Sequence, residues 1–145
     1  MSRNTLFFMA AVMILFVSSG CKDANIVKVS GKITVEGKPV GNLHVSFQPV
    51  AVQGENALGP SAWGVTDEQG NFELKAVNID KKITGATVGA NRVKITARGP
   101  EKKPDEVVYT GTWKSPLPGG VPSIETTFEV PRGGTSEANF DLPLK

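Results

Sequence analysis

From Val27 onward, apolar and polar side chains alternate with the period of a β-strand. Val27, Val29, Gly31, Ile33 and Val35 fall on one face, and Lys28, Ser30, Lys32 and Thr34 on the other. Glu36-Gly37-Lys38-Pro39 supplies a turn. Leu43, Val45 and Phe47 then alternate with His44, Ser46 and Gln48, predicting a second strand as hairpin partner of the first. Residues 51–60 lack a period and carry Gly54, Gly59 and Pro60, so a loop is expected to lead into a short strand over 62–66. Asp67-Glu68-Gln69-Gly70 makes the next turn, with glycine where positive φ is needed, and Phe72, Leu74 and Ala76 alternate beyond it in a strand expected to pair with 62–66.

Residues 78–89 read as irregular. Val93, Ile95 and Ala97 mark a strand over 92–97, and 98–105 reads as a solvated loop. A strand is expected over 107–113, a proline- and glycine-broken stretch over 115–122, and alternating strands with Ile124, Thr126, Phe128 and Val130, then Ala138, Phe140 and Leu142, facing inward. Strands that alternate in this way must stack their apolar faces on another sheet. The expected fold is therefore all-β, an antiparallel β-sandwich of seven or eight strands over 27–145.

The first residues break this pattern. One charge, Arg3, precedes an uninterrupted apolar run from Leu6 to Val17. As a helix, that run would be about 18 Å long, short of the ~30 Å hydrocarbon core, so it predicts a helical signal peptide over 1–20 and not a transmembrane span. It ends in Val17-Ser18-Ser19-Gly20-Cys21, which resembles the lipobox of bacterial lipoproteins, with Ser18 where that motif more often has an aliphatic residue. The resemblance implies cleavage after Gly20 and diacylglycerol on Cys21, so that residues 21–26 form a lipidated N-terminus and short tether. Two or more acyl chains hold a protein stably on a bilayer where one does not. Cys21 is also the only cysteine, which excludes an internal disulfide.

Charge changes little. Setting Arg3 aside from the 16 basic residues leaves 15 against 14 acidic ones, a near-neutral body that offers no electrostatic case for nucleic acid. The 16 glycines and 10 prolines, spread among short apolar stretches, fit many strands joined by tight turns.

The segments Val29-Ser30-Gly31-Lys32-Ile33-Thr34-Val35-Glu36-Gly37-Lys38-Pro39-Val40, Val45-Ser46-Phe47-Gln48-Pro49 and Thr66-Asp67-Glu68-Gln69-Gly70-Asn71-Phe72-Glu73-Leu74 resemble, in order and spacing, the small lipoproteins with a carboxypeptidase-regulatory-like, transthyretin-like domain common in planctomycete bacteria. Asn91 stands where that family commonly has an aromatic residue, and 121–127 lacks a tyrosine often found there. The resemblance implies a transthyretin-like sandwich with an accessory, interaction or structural role, and brings no catalytic residue, cofactor or metal ligand with it.

His44 and Ser46 could form a base and nucleophile, but two residues apart on one strand they project side by side without an orienting acid. The hydroxyisourate hydrolases of related fold use more than one histidine and a different C-terminal motif, and a tyrosine-histidine iron site cannot be built from Tyr109 and His44 alone. Asp67, Glu68 and Asn71 suggest a calcium loop, but a tight turn needs the same residue types for backbone reasons. Trp63, Tyr109 and Trp113 could stack on a sugar ring, although aromatics in small sandwiches more often pack in the core. The expectation is a non-enzymatic lipoprotein, without metal or cofactor, bound to the lipid bilayer through acylated Cys21 on the periplasmic side or at the outer membrane. Its partner would be an envelope protein adding a strand at a sheet edge or, as the alternative, a glycan held by the exposed aromatics. A hydrolase ranks third.

Overall fold

The computed structural model describes residues 25–51, 59–78, 81–99 and 113–143. The segment 1–20, Cys21, Tyr109 and most of the expected strand over 107–113 lie outside them, and Trp113 itself is not in a strand. The strands are β1 (Ile26–Val27), β2 (Ser30–Val35), β3 (Lys38–Pro39), β4 (Leu43–Pro49), β5 (Ala62–Val65), β6 (Asn71–Glu73), β7 (Lys75–Asn78), β8 (Lys81–Thr84), β9 (Ala86–Thr87), β10 (Gly89–Ala97), β11 (Ser123–Val130) and β12 (Phe140–Leu142). Among the described residues the fold is all-β, and no helix is long and apolar enough to cross a membrane.

A six-stranded antiparallel sheet runs β11-β10-β4-β5-β7-β8. Against it lies a smaller sheet, β12-β2-β3, with β6 also on β2, and β1 pairs with β9. The alternating apolar positions meet between the sheets: Val29, Ile33, Leu43, Val45, Phe47, Leu74, Val93, Ile95 and Val130 are all buried. Phe47 makes edge-to-face contacts with Phe128 and Phe140 at centroid distances of 5.8 and 6.3 Å. That geometry brings the positive ring edge onto the negative ring face.

Three pairings depart from expectation. The first and second predicted strands are not hairpin partners, because β2 and β4 sit in different sheets. Glu36 (φ 48) and Gly37 (φ 74) form a two-residue turn that folds Val35 onto Lys38, so the hairpin closes within Lys38–Pro39. The chain then crosses to the other sheet through Asn42 (φ 59). The strand predicted around Phe72 is divided in the same way. Its first part pairs with β2, with Gly31 opposite Phe72, and its second part pairs with β5, with Ala62 opposite Ala76. Leu74 is the corner, its amide donating to the Val29 carbonyl at 3.0 Å and its carbonyl accepting from Gly85 at 2.7 Å. Gly64 permits that corner, since a Cβ there would lie 2.5 Å from the Glu73 carbonyl oxygen. Residues 78–89 are also not irregular, since they hold β8 and β9.

The final strand differs in direction. β12 runs parallel to β2, with Phe140 opposite Ile33, and a parallel bridge joins Val29 to Thr135. The sandwich is antiparallel elsewhere. Alternation specifies which residues face the core, and it is blind to which strand lies alongside and in which direction.

Candidate ligand platform on the outer sheet face

The outer face of the six-stranded sheet carries the positions left over by the core pattern. On β4 these are His44, Ser46 and Gln48; on β10, Arg92, Lys94 and Thr96. Register sets them in rows, with Ser46 between Lys94 and Trp63, and Lys75 on the far side of Trp63. His44 sits beside Thr96 on one side and Val65 on the other.

Trp63 is 40% exposed on this face. Its ring lies 5.8 Å from that of His44 at an interplanar angle of 19°, a parallel-displaced stack between diagonal neighbours on adjacent strands. Together they edge a shallow depression of about 430 Å³, lined also by Ser46, Gln48, Ser61 and Arg98. Partial burial holds the His44 imidazole below its ordinary pKa of 6.5, and the nearby Arg98 charge lowers it further, so the ring is neutral at neutral pH.

The other candidates are placed differently. Trp113 is 48% exposed on the loop after the undescribed segment, and no ring contact joins it to Trp63 among the described residues. Its loop is held locally, by Ser115 Oγ donating to the Val121 carbonyl at 2.6 Å and by buried Leu117. Of the three aromatics expected on a platform, Trp63 lies on this face and Trp113 on its loop, while Tyr109 and the lipidation candidate Cys21 lie outside the described residues. His44 and Ser46 do project from one face of β4, and Ser46 Oγ donates to the Lys94 carbonyl at 3.4 Å.

The turn weighed for calcium is occupied by its own backbone. Asp67 Oδ1 accepts from Gln69 N and Asn71 N at 3.0 and 2.8 Å, and Oδ2 accepts from Asn71 Nδ2 at 3.1 Å. These hydrogen bonds, led by those from Asn71, pull the Asp67 pKa below the usual carboxylate value. Among the described residues no group of three or more His, Cys, Asp or Glu side chains could hold a metal ion.

Asn91 is fully buried. Its Nδ2 donates to the Thr87 and Gly89 carbonyls at 2.9 and 2.8 Å and ties down the turn into β10, where Gly89 has φ 101. A second depression, of about 580 Å³, lies over Lys28, Ser30 and residues 133–137, and has no aromatic surface.

Arg98 is the platform residue that the sequence reading assigned to a solvated loop. It continues the parity of Arg92, Lys94 and Thr96 past the end of β10, and that continuation is the signal that could have found it. No family model, curated protein or solved structure matches this chain.

Proposed function

We propose that the protein is a lipid-anchored, non-catalytic binding module of the bacterial cell envelope, a transthyretin-like sandwich tethered through Cys21. The observation that carries the binding reading is Trp63, an indole stacked on His44 yet still open to solvent beside Ser46 and Lys75. A tryptophan with no packing duty in the core, held in orientation beside polar side chains, is how a surface presents a flat contact to a ligand.

The way the chain enters the domain supports the tethered reading. Four residues, Lys22 to Asn25, separate Cys21 from Ile26, a reach of at most ~18 Å to the start of β1. Asn25 accepts a hydrogen bond from Val88 N at 2.9 Å, and β1 pairs with β9, immediately before β10 begins. β10 then runs for nine residues, ~30 Å, to Ala97. A tether at Cys21 thus puts the Gly89 end of the sheet toward the bilayer and the His44 and Arg98 end away from it, where a ligand can reach.

The test is the intact mass and membrane partition of the wild-type protein beside Cys21→Ser. An acylated chain beginning at residue 21 in membranes, with the variant released or accumulating as precursor, is the expected result. An unmodified wild-type protein in the soluble fraction sinks the anchored reading.

The second reading, a carbohydrate-binding module, is favoured by the hydroxyl and amide groups of Ser46, Gln48 and Ser61 around the indole. A hydrolase using His44 is less favoured, because Ser46 Oγ is directed to a backbone carbonyl.

A further inference from the structure

Resting on the anchored binding-module reading above, we propose that the partner of the Trp63 face is the bilayer itself. The half of the outer sheet face nearest the tether lies on the membrane interface, with the Trp63 indole among the headgroups and Val77 and Val50 beside it.

The three side chains share one face. On β5, exposed Trp63 stands between buried Ala62 and Gly64, and on β7 exposed Val77 follows buried Ala76, the partner of Ala62. Val50 N donates to the Ala90 carbonyl at 2.9 Å, which keeps Val50 in step with Ala90, exposed on β10 next to buried Asn91. All three therefore point away from the core. They are 40, 58 and 42% exposed, and they are three of the six large hydrophobic side chains exposed among the described residues. Exposed apolar residues scattered singly are ordinary on any protein surface. These three are gathered by the strand order, because β5, which carries Trp63, lies between β4 and β7, which carry the valines.

Their position along the strands points to the occupant. Phe47, Ala62 and Ala76 stand in one row, with Trp63 above it and Val77 and Val50 below, toward the end where β10 begins at Gly89. At that same end Val88 N donates to the Asn25 carbonyl, and only Lys22, Asp23 and Ala24 separate Asn25 from Cys21. A tether this short makes contact with the bilayer an intramolecular event, at an effective concentration on the order of millimolar. A patch too small to hold a free domain on a membrane is then enough to orient a tethered one.

The polar neighbours set the depth. Ser46, Gln48 and Ser61 lie around the indole. In hydrocarbon or in a dry protein interface each hydroxyl and amide would need its own partner, whereas the headgroup layer supplies water and ester oxygens. An indole, apolar except for one N–H, is best placed at that boundary.

The test uses the full protein extracted from membranes, its acylation checked by intact mass, and added to phosphatidylcholine vesicles with or without bromine on the upper acyl chains. Bromine quenches an indole it touches, and a zwitterionic lipid keeps charge out of the comparison. Trp113→Phe leaves Trp63 as the only indole, and Trp63→Phe leaves Trp113, on the loop leading to the opposite end of the sheet. Trp63 emission is expected to shift to the blue in vesicles and to fall by about twofold or more with brominated lipid, while Trp113 emission stays unchanged. Val50→Ser combined with Val77→Ser, at exposed positions that leave the core intact, is expected to remove about half or more of that quenching. Trp63 indifferent to bromine, both indoles quenched alike, or quenching unchanged in the double valine variant overturns the proposal. Dextran that shifts Trp63 emission where brominated lipid does not overturns it in favour of a glycan. The two readings fail separately. An acylated, vesicle-bound protein with Trp63 unquenched removes the contact and leaves the anchor, whereas a wild-type mass without acyl chains removes the anchor and the contact with it.

Discussion

The two faces of β4 share one backbone and one register yet have opposite fates. Leu43, Val45 and Phe47 are wholly buried against the smaller sheet. His44, Ser46 and Gln48, at the intervening positions, form part of the rim of the Trp63 depression. The same contrast holds on β5, where Ala62 and Gly64 pack inward and Trp63 turns out. A strand of period two thus separates stability from recognition residue by residue. The inner face is committed to packing, and the outer face is open to chemistry because the fold does not depend on it.

The contrast can be broken from either side. Phe47→Ala removes a fully buried ring that touches Phe128 and Phe140, and it should cost about 3–5 kcal/mol in chemical denaturation, the largest effect expected. Gly64→Ala drives a methyl against the Glu73 carbonyl at the Leu74 corner, and should cost about 1–3 kcal/mol in the same measurement. Trp63→Ala, on the outer face, should cost no more than about 1 kcal/mol in the same measurement, since the indole has no place in the core. A loss as large as that of Phe47→Ala would show that the outer face is structural after all.

The smallest effect is a pH dependence on the outer face. The folded-state pKa of His44 lies below its ordinary 6.5, so as pH falls through 6.5 the unfolded chain takes up a proton before the native one does. Stability should be level above that pH with respect to this group, and fall from 6.5 down toward the lowered value. The difference between wild type and His44→Gln across that window isolates the contribution, and equal slopes in the two proteins would remove it. Asp67 and Asp141 act in the same sense at lower pH. Their depressed pKa values contribute stability that is present above 3.8 and lost as pH falls through the folded value.

Much of the platform was legible at the level of single positions. His44 and Ser46 read as polar-face residues from alternation alone, and Trp63 lay in a strand predicted next to a turn. Their meeting was not legible, because Trp63 reaches His44 only through the pairing of Ser46 with Trp63, and nothing in residues 44 and 63 separately specifies that register. Whether Trp63 and Trp113 share a surface is likewise set by strand pairing, because aromatics far apart in sequence meet only where the intervening strands bring them together. Arg98 reads as loop because Gly99, Pro100 and Pro104 follow it, although its own parity belongs to β10.

By itself, the sequence determined which side chains face the core, where the turns with positive φ fall at Gly37 and Gly70, and that an all-β sandwich is the fold that buries such strands. These are local properties, set by period and by the backbone demands of glycine. The tertiary structure alone decided that β2 and β4 belong to different sheets, that one strand turns the corner at Leu74, that β12 runs parallel to β2, and that Trp63, His44 and Arg98 edge one depression. Such pairings join residues distant in sequence, and are selected by how two whole apolar faces close on each other.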